Sequence, residues 1–215
     1  MKYSLIVFDW DGTLIDSAAT IVECIQSAAL DMGLEAPDRE RASHVIGLGL
    51  QDSLRHAVPG LPAERYFEFA DHYRRHFRAR QESMSLFPGI RDLLAGMSHS
   101  HGLAIATGKS RKGLDRSLEA EGLRRYFSAS RCADETNPKP HPAMLLEIMD
   151  ELGIDPGRTL MIGDTSHDLD MAKAAGVDAL AVTYGAHPEE GLRACGPREC
   201  VASVAELSEW LRQNA

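Results

Sequence analysis

Asp9 and Asp11 stand one residue apart at the end of an apolar run, Leu5-Ile6-Val7-Phe8, and Gly12-Thr13 follows at once. Carboxylates at the mouth of a buried strand lose hydration, a cost offset only by a cation or by hydrogen bonds. Two further apolar runs end in polar residues. Leu103–Ala106 delivers Thr107, and Thr159–Ile162 leads to Asp164, with Asp168 four residues later. Lys139 lies in Asn137-Pro138-Lys139-Pro140-His141-Pro142, just ahead of a helical pattern. Gathered on one edge, four carboxylates would repel one another unless a cation joined them. Hard oxygen ligands favour Mg²⁺, and the sequence shows no His or Cys cluster that would point to zinc. A Lys, a Thr hydroxyl and Mg²⁺ make an anion clamp, and a spare carboxylate beside them can act as a nucleophile. Such a set suits phosphoryl transfer, where catalysis is mostly positioning and charge neutralisation.

The elements that must position these groups follow from periodicity. Apolar runs of four to eight residues bounded by turn signals read as buried strands. Strands are expected at Leu5–Phe8, Leu103–Ala106, Phe127–Ala129, Thr159–Ile162 and Ala179–Val182. Helices are expected at Ile90–Met97, around Leu114–Glu121, from Pro142 to Leu152 before Gly153, and at Leu169–Ala175 before Gly176. Ser203-Val204-Ala205-Glu206 reads as a capping box for a last helix. Strands alternating with helices imply a parallel sheet covered on both faces, a doubly wound α/β fold. Ligands in such sheets bind at the carboxyl ends of the strands, which is where Asp9, Asp11, Thr107 and Asp164 fall.

The stretch after the first strand breaks that rhythm. Ser17–Met32 is apolar at Ile21, Ile25, Ala28, Ala29 and Met32, one helical face. Two short helices are expected around the turn Gly47-Leu48-Gly49, and Pro62 opens a longer one. That last helix carries Tyr66, Phe69, Tyr73 and Phe77 on one side and Arg74, Arg75, Arg78 and Arg80 on the other. No strand is expected between Ser17 and Ser85. The simplest organisation is an α/β core of residues 1–15 and 86–215 with an α-helical cap, 16–85, inserted after the first strand.

The order of these motifs resembles the haloacid-dehalogenase-like hydrolase superfamily, in its phosphoglycolate-phosphatase-like branch. Asp9-Trp10-Asp11-Gly12-Thr13 matches the family's DxDGT motif. Ala106-Thr107-Gly108 matches its strand ending in Thr or Ser, Lys139 in Asn-Pro-Lys-Pro its lysine motif, and Gly163-Asp164-Thr165-Ser166-His167-Asp168 its GDxxxD motif. The resemblance implies that Asp9 is the nucleophile and that Asp11 is the acid and base. It implies that Thr107, Gly108 and Lys139 hold the transferring phosphoryl group, and that Mg²⁺ is bound by Asp9, the Asp11 carbonyl and Asp164 with Asp168 in support. An acid at position 11 favours phosphate-ester chemistry over dehalogenation. The expected substrate is a small phosphorylated metabolite. A sugar-phosphate mutase shares every core motif, and a receiver-like phospho-switch shares Asp, Thr, Lys and Mg²⁺.

Some residues carry weaker signals. Lys109 in Gly108-Lys109-Ser110 lacks the spacing of a phosphate-binding P-loop and is expected to be solvated or at the phosphate rim. His141 and His167 are expected to be solvated or capping. Arg41, His44 and Arg55 flank the Gly47–Gly49 turn, where they would meet a substrate carboxylate or second phosphate, or simply be solvated. Trp10 is expected to pack away from the site. The formal net charge of −9, from 23 basic and 32 acidic residues among 215, argues against broad binding to nucleic acid or an anionic membrane. No apolar stretch reaches transmembrane length, and Cys24, Cys132, Cys195 and Cys200 form no CxxC pair. A cytoplasmic location with reduced thiols is expected, and the oligomeric state is left open.

Overall fold

The computed structural model describes residues 2–80 and 84–215. Six parallel strands form the main sheet. They are β1 (Leu5–Phe8), β4 (Gly102–Thr107), β5 (Ala129–Cys132), β6 (Thr159–Gly163), β7 (Asp178–Val182) and β8 (Cys200–Val201), in the order β5-β4-β1-β6-β7-β8. β1, which bears the two acids, is therefore central. Its register aligns Phe8 with Ile105 of β4 and with Ile162 of β6. Asp9 thus emerges level with Ala106 and Gly163, and Thr107 and Asp164 follow one residue later on either side. Parallel pairing alone brings three sequence-distant groups to one edge.

The two faces of the sheet read directly from alternation along each strand. Ile6, Phe8, Leu103, Ile105, Leu160 and Ile162 pack into one cluster with residues of α5 (Ile90–Met97), α6 (Arg111–Glu121) and α10 (Val204–Asn214). Leu5, Val7, Ala104, Ala106 and Met161 pack into another with α7 (Ala143–Leu152) and α8 (Ser166–Ala174). Both faces are covered, as the doubly wound reading requires. Trp10 is fully buried in the first cluster, away from the acids.

Between β1 and β4 the chain forms α1 (Ala18–Asp31), α2 (Arg39–His44), α3 (Leu50–Ala57) and α4 (Tyr66–Ala79). These helices share an apolar cluster of their own, built on Ile21, Ile25, Val45, Leu48, Leu54 and Phe69. Residues 81–83 of the expected insertion lie outside the described residues. The expectation of no strand up to Ser85 needs correction at its end. β3 (Ser85–Leu86) pairs antiparallel with β2 (Ile15–Asp16). Two residues per strand carry no legible alternation, yet the pair joins the points where the helical segment leaves and returns.

Other differences concern the edges of the sheet. The expected strand at Phe127–Ala129 lies at Ala129–Cys132, because Phe127 packs on the core cluster while the pairing continues through polar residues. Arg131 there is held by Glu147 and Glu151, both at 2.8 Å, so an edge strand carries charges that disguise it. The loop after β7 contains α9 (Glu189–Ala194) and β8, both too short to show a period. The final helix begins as expected, with the Ser203 hydroxyl accepting from the Glu206 N–H at 3.2 Å. The Glu206 carboxylate, however, accepts from Ala202 rather than closing the box on Ser203. All four cysteines are free, and no described helix is long and apolar enough to cross a membrane.

Candidate active site

Asp9, Thr107, Lys139, Asp164 and Asp168 are each exposed by 1% or less, and they converge at the carboxyl edge of β1, β4 and β6. Carboxylate oxygens of Asp9, Asp164 and Asp168 lie within 4.8 Å of one another. Lys139 Nζ sits among them, 2.7 Å from Asp9 Oδ1 and 2.6 Å from Asp168 Oδ1. These are ion-pair contacts without hydrogen-bond alignment, and the three atoms have no aligned partner among the described residues.

Each acid is held differently. Asp164 accepts from the Thr13 hydroxyl and from the Ala186 N–H, both at 2.7 Å, so both of its oxygens are partnered. Asp168 turns Oδ2 to the N–H and hydroxyl of Thr165, at 3.1 and 2.7 Å, at the start of α8. It serves the helix N-terminus and the lysine at once. Asp9 Oδ2 is buried with no hydrogen-bond partner among the described residues. Burial pushes the Asp9 carboxyl up to about 7, with Asp168 and Asp11 adding to the rise and Lys139 opposing it. Burial, and then the charges of Asp9 and Asp168, also raise Asp164 well above the usual carboxylate range. Burial alone would lower Lys139, but Asp168 and Asp9 outweigh it and hold the ammonium above its ordinary value. An orphaned buried oxygen, two acids made hard to ionise and an all-oxygen donor set fit a divalent hard cation such as Mg²⁺. Asp9, Asp164 and Asp168 are the side chains able to hold it.

Glycines make this density possible. Gly12 has φ +83°, and a Cβ there would fall 2.2 Å from Asp164 Oδ2. The tight turn of DxDGT therefore needs a residue with no side chain on both counts.

Asp11 stands apart from the three acids. Its carboxylate accepts from the Ser17 hydroxyl at 2.8 Å and from Lys109 Nζ at 3.0 Å to each oxygen. Of the two expected places for Lys109, solvent or the phosphate rim, the structure puts it at the border of the cleft, held between Asp11 and the Phe77 ring, 4.6 Å from the ring centroid. Ser17, which precedes α1, turns to Asp11 instead of capping the helix. Ser17 and Thr13 were not legible as site residues, nor was the pairing of Lys109 with Asp11. Thr13 alone had a signal, its place in the motif.

His167 also departs from expectation. It is 8% exposed and donates Nε2–H to the His44 carbonyl at 2.7 Å, and His187 approaches the same carbonyl at 3.1 Å. The chain brings His44, His167 and His187 together from three distant segments, a cluster that no spacing in the sequence announces. His141 does cap, accepting from the Ala143 N–H at 3.2 Å.

The helical segment meets this edge through the Gly47–Gly49 turn. A Cβ on Gly108 would lie 2.5 Å from the Gly47 carbonyl oxygen, and one on Gly49 would lie 2.8 Å from Pro138. Asp9, Asp11, Thr107, Gly108 and Lys109 thus floor a cleft of about 530 Å³ whose other side is helical. Gly108→Ala must push the turn away from the floor. Misplacement by about 1 Å can cost about 100-fold in rate, so a loss of that order in phosphate release is expected, together with a lower melting temperature because the clash is with backbone. Wild-type kinetics in this variant would show that the close approach has no functional weight.

A parallel α/β sheet with acids at its carboxyl edge and a helical segment over them defines a class of hydrolase site. The family model for haloacid dehalogenase-like hydrolases matches residues 6–182, and the chain belongs to that family. It is 38% identical to a protein of Dickeya dadantii named "Probable phosphatase IndB", over 94% of this chain and 91% of that one. It is 32% identical to a phosphoglycolate phosphatase of Aliivibrio fischeri, over 84% of each chain. The crystal structure of a predicted phosphatase from Clostridium acetobutylicum superposes with a TM-score of 0.87 at 26% identity, covering 99% of this chain and all of that one.

Proposed function

We propose that this protein is a Mg²⁺-dependent phosphatase of a small phosphorylated metabolite, working through an aspartyl-phosphate, with residues 16–85 as its cap. The observation that carries the reading is Asp9 Oδ2: a buried carboxylate oxygen with no partner, at the floor of an open cleft, beside a buried ammonium. Family membership and phosphatase relatives support the same chemistry.

In this reading Asp9 attacks phosphorus while Asp11 gives a proton to the departing alcohol. Water then loses a proton to Asp11, attacks the phosphoryl group and frees Asp9. Thr107 and Lys139 hold the transferring oxygens, and Gly108 lets them approach the backbone. Ser17 and Lys109 keep the Asp11 carboxylate aimed at the cleft. Mg²⁺, held by Asp9, Asp164 and the Asp11 carbonyl with Asp168 behind them, would neutralise charge between the nucleophile and the phosphoryl oxygens. The helical wall presents few polar groups for sugar hydroxyls, which favours hydrolysis over the mutase alternative.

A phosphate-release assay over a panel of metabolite monoesters tests this. Release is expected with Mg²⁺, with at least a hundredfold loss in EDTA that added Mg²⁺ restores. Full activity in EDTA would remove the metal from the reading, and an isomerised sugar phosphate in place of free phosphate would make the protein a mutase.

A further inference from the structure

The cleft over Asp9 has two chemically different ends. Its floor is polar. Its helical side is lined by Ile21, Ile25, Leu48, Leu54, Tyr73 and Phe77, side chains of or beside the helices' own apolar cluster. Tyr73 and Phe77 form an aromatic pair on that wall, with ring centroids 5.7 Å apart and planes 30° from parallel. At the mouth stand Leu50 and Phe67, which are 39% and 76% exposed, two of the large apolar side chains that the surface leaves uncovered. Water is a poor neighbour for such a wall, so an apolar group entering the cleft would gain from leaving solvent.

Cations are placed differently from what a carboxylated substrate would need. Arg41, His44 and Arg55 do not border the cleft. Arg55 is exposed and paired with Asp52 at 3.0 Å, and the His44 ring stacks on His187 with centroids 5.3 Å apart. Among the described residues that border the cleft, Lys109 is the one cation not exposed, and it is already committed to Asp11. Arg74, Arg78, Lys112 and Arg116, four cations, lie at the exposed border, where solvent screens each of them and weakens its hold on a carboxylate. A glycolate-sized leaving group would find no buried cation for its carboxylate and would leave most of the wall uncovered. Ligand pockets span about 300–1,000 Å³, and a cleft of about 530 Å³ suits a larger group.

We propose that the preferred substrate is a phosphate monoester whose alcohol carries an apolar, ring-sized group, seated against Tyr73 and Phe77. This rests on the phosphatase reading of Asp9 and names the leaving group that the cap selects. Burying a group the size of a Phe side chain is worth roughly ten- to a hundredfold in affinity.

The test uses Mg²⁺-loaded protein with ethyl, butyl and 2-phenylethyl phosphate, whose alcohols leave with similar ease, and with phosphoglycolate. kcat/KM is expected to rise at least about tenfold from ethyl to phenylethyl phosphate, chiefly through KM, with phosphoglycolate no better than ethyl phosphate. Phe77→Ala, with its circular dichroism unchanged, is expected to shrink the phenylethyl-to-ethyl ratio at least threefold. A flat series, a preference for phosphoglycolate, or an unchanged ratio in Phe77→Ala overturns the assignment. Calorimetric binding of the same esters separates the two claims. If none is hydrolysed but phenylethyl phosphate binds the tightest, the apolar seat stands as a binding site, while the phosphatase reading and with it the leaving-group assignment fall. If esters are hydrolysed but phenylethyl phosphate binds no tighter than ethyl phosphate, the phosphatase reading stands and the apolar seat falls with the leaving-group assignment.

Discussion

Asp9→Asn is expected to abolish phosphate release, by about four orders of magnitude or more, because Asp11, the other carboxylate at the floor, is already committed to Ser17 and Lys109. The same change is expected to leave the metal-free protein at least as stable as the wild type. Burial raises the Asp9 carboxyl to about 7, above the ordinary value near 4 that the unfolded chain recovers. The folded state thus holds a proton that the unfolded state gives up, so this group's contribution to stability falls as pH rises from about 4 to about 7 and stays low above it. Asparagine never ionises and escapes that cost. In EDTA, Asp9→Asn should melt a few degrees above the wild type at pH 8, and the gap should close toward pH 5. Lys139 does not reverse the sign, because it retains Asp168 at 2.6 Å when Asp9 is neutralised. Undiminished turnover in this variant would remove the covalent mechanism. Lost turnover together with a large drop in melting temperature would instead make Asp9 a structural acid.

The groups that converge on Asp9 were legible for a simple geometric reason. In a parallel sheet every apolar run ends on the same edge, so Thr107 and Asp164 could be placed beside Asp9 from strand order alone. Lys139 and Asp168 needed more. Neither ends a strand: Asp168 was placed by its distance of four residues from Asp164 and Lys139 by its loop ahead of a helix, and the motif order strengthened both. Asp11 marks the limit of this kind of reading. Its place in the chain was plain, but its partners Ser17 and Lys109 come from the start of a helix and from 98 positions away. Nothing in a local pattern reports such pairings. His167 shows the same limit from the other side. It stands beside Asp168 and looks like a solvated residue of a helix start, yet it is buried because the His44 carbonyl, brought over by the helical segment, accepts its N–H. Short elements (β2 with β3, α9 and β8) escaped, and β5 was placed too early by about two residues, because so few residues cannot show a period against charged or turn-like neighbours. The helical segment's elements could be read from their apolar spacing, whereas what its inner wall contacts could not, since one set of apolar residues serves both its own packing and the cleft.

Lys139→Met tests the same cluster with the opposite sign. The ammonium is fully buried and lies 2.7 and 2.6 Å from two buried carboxylates. Taking one partner from a buried ion pair leaves uncompensated charge and costs about 3–5 kcal/mol, which in a domain of this size lowers the melting temperature by roughly 6–20 °C. The raised value of Lys139 means that its stabilising effect is fully present throughout the neutral range and fades only as pH climbs through the folded value. What varies near neutrality is the charge on Asp9. Below about pH 5 Asp9 holds its own proton, so less charge is left unpaired and the loss should shrink. The difference in melting temperature between Lys139→Met and wild type should therefore be largest at pH 8 and smaller at pH 5. Phosphate release should fall by about a thousandfold, the scale of removing one charged group aimed at a transferring phosphoryl oxygen. Lys139→Arg should not restore it, because a planar guanidinium has no room where an ammonium is already fully enclosed. A double variant, Asp9→Asn with Lys139→Met, should melt closer to wild type than Lys139→Met alone, since the two sites share one ion pair and cannot add. Strict additivity of the two changes would show that the lysine answers to Asp168 alone, and that Asp9 is held by something other than the charge of Lys139.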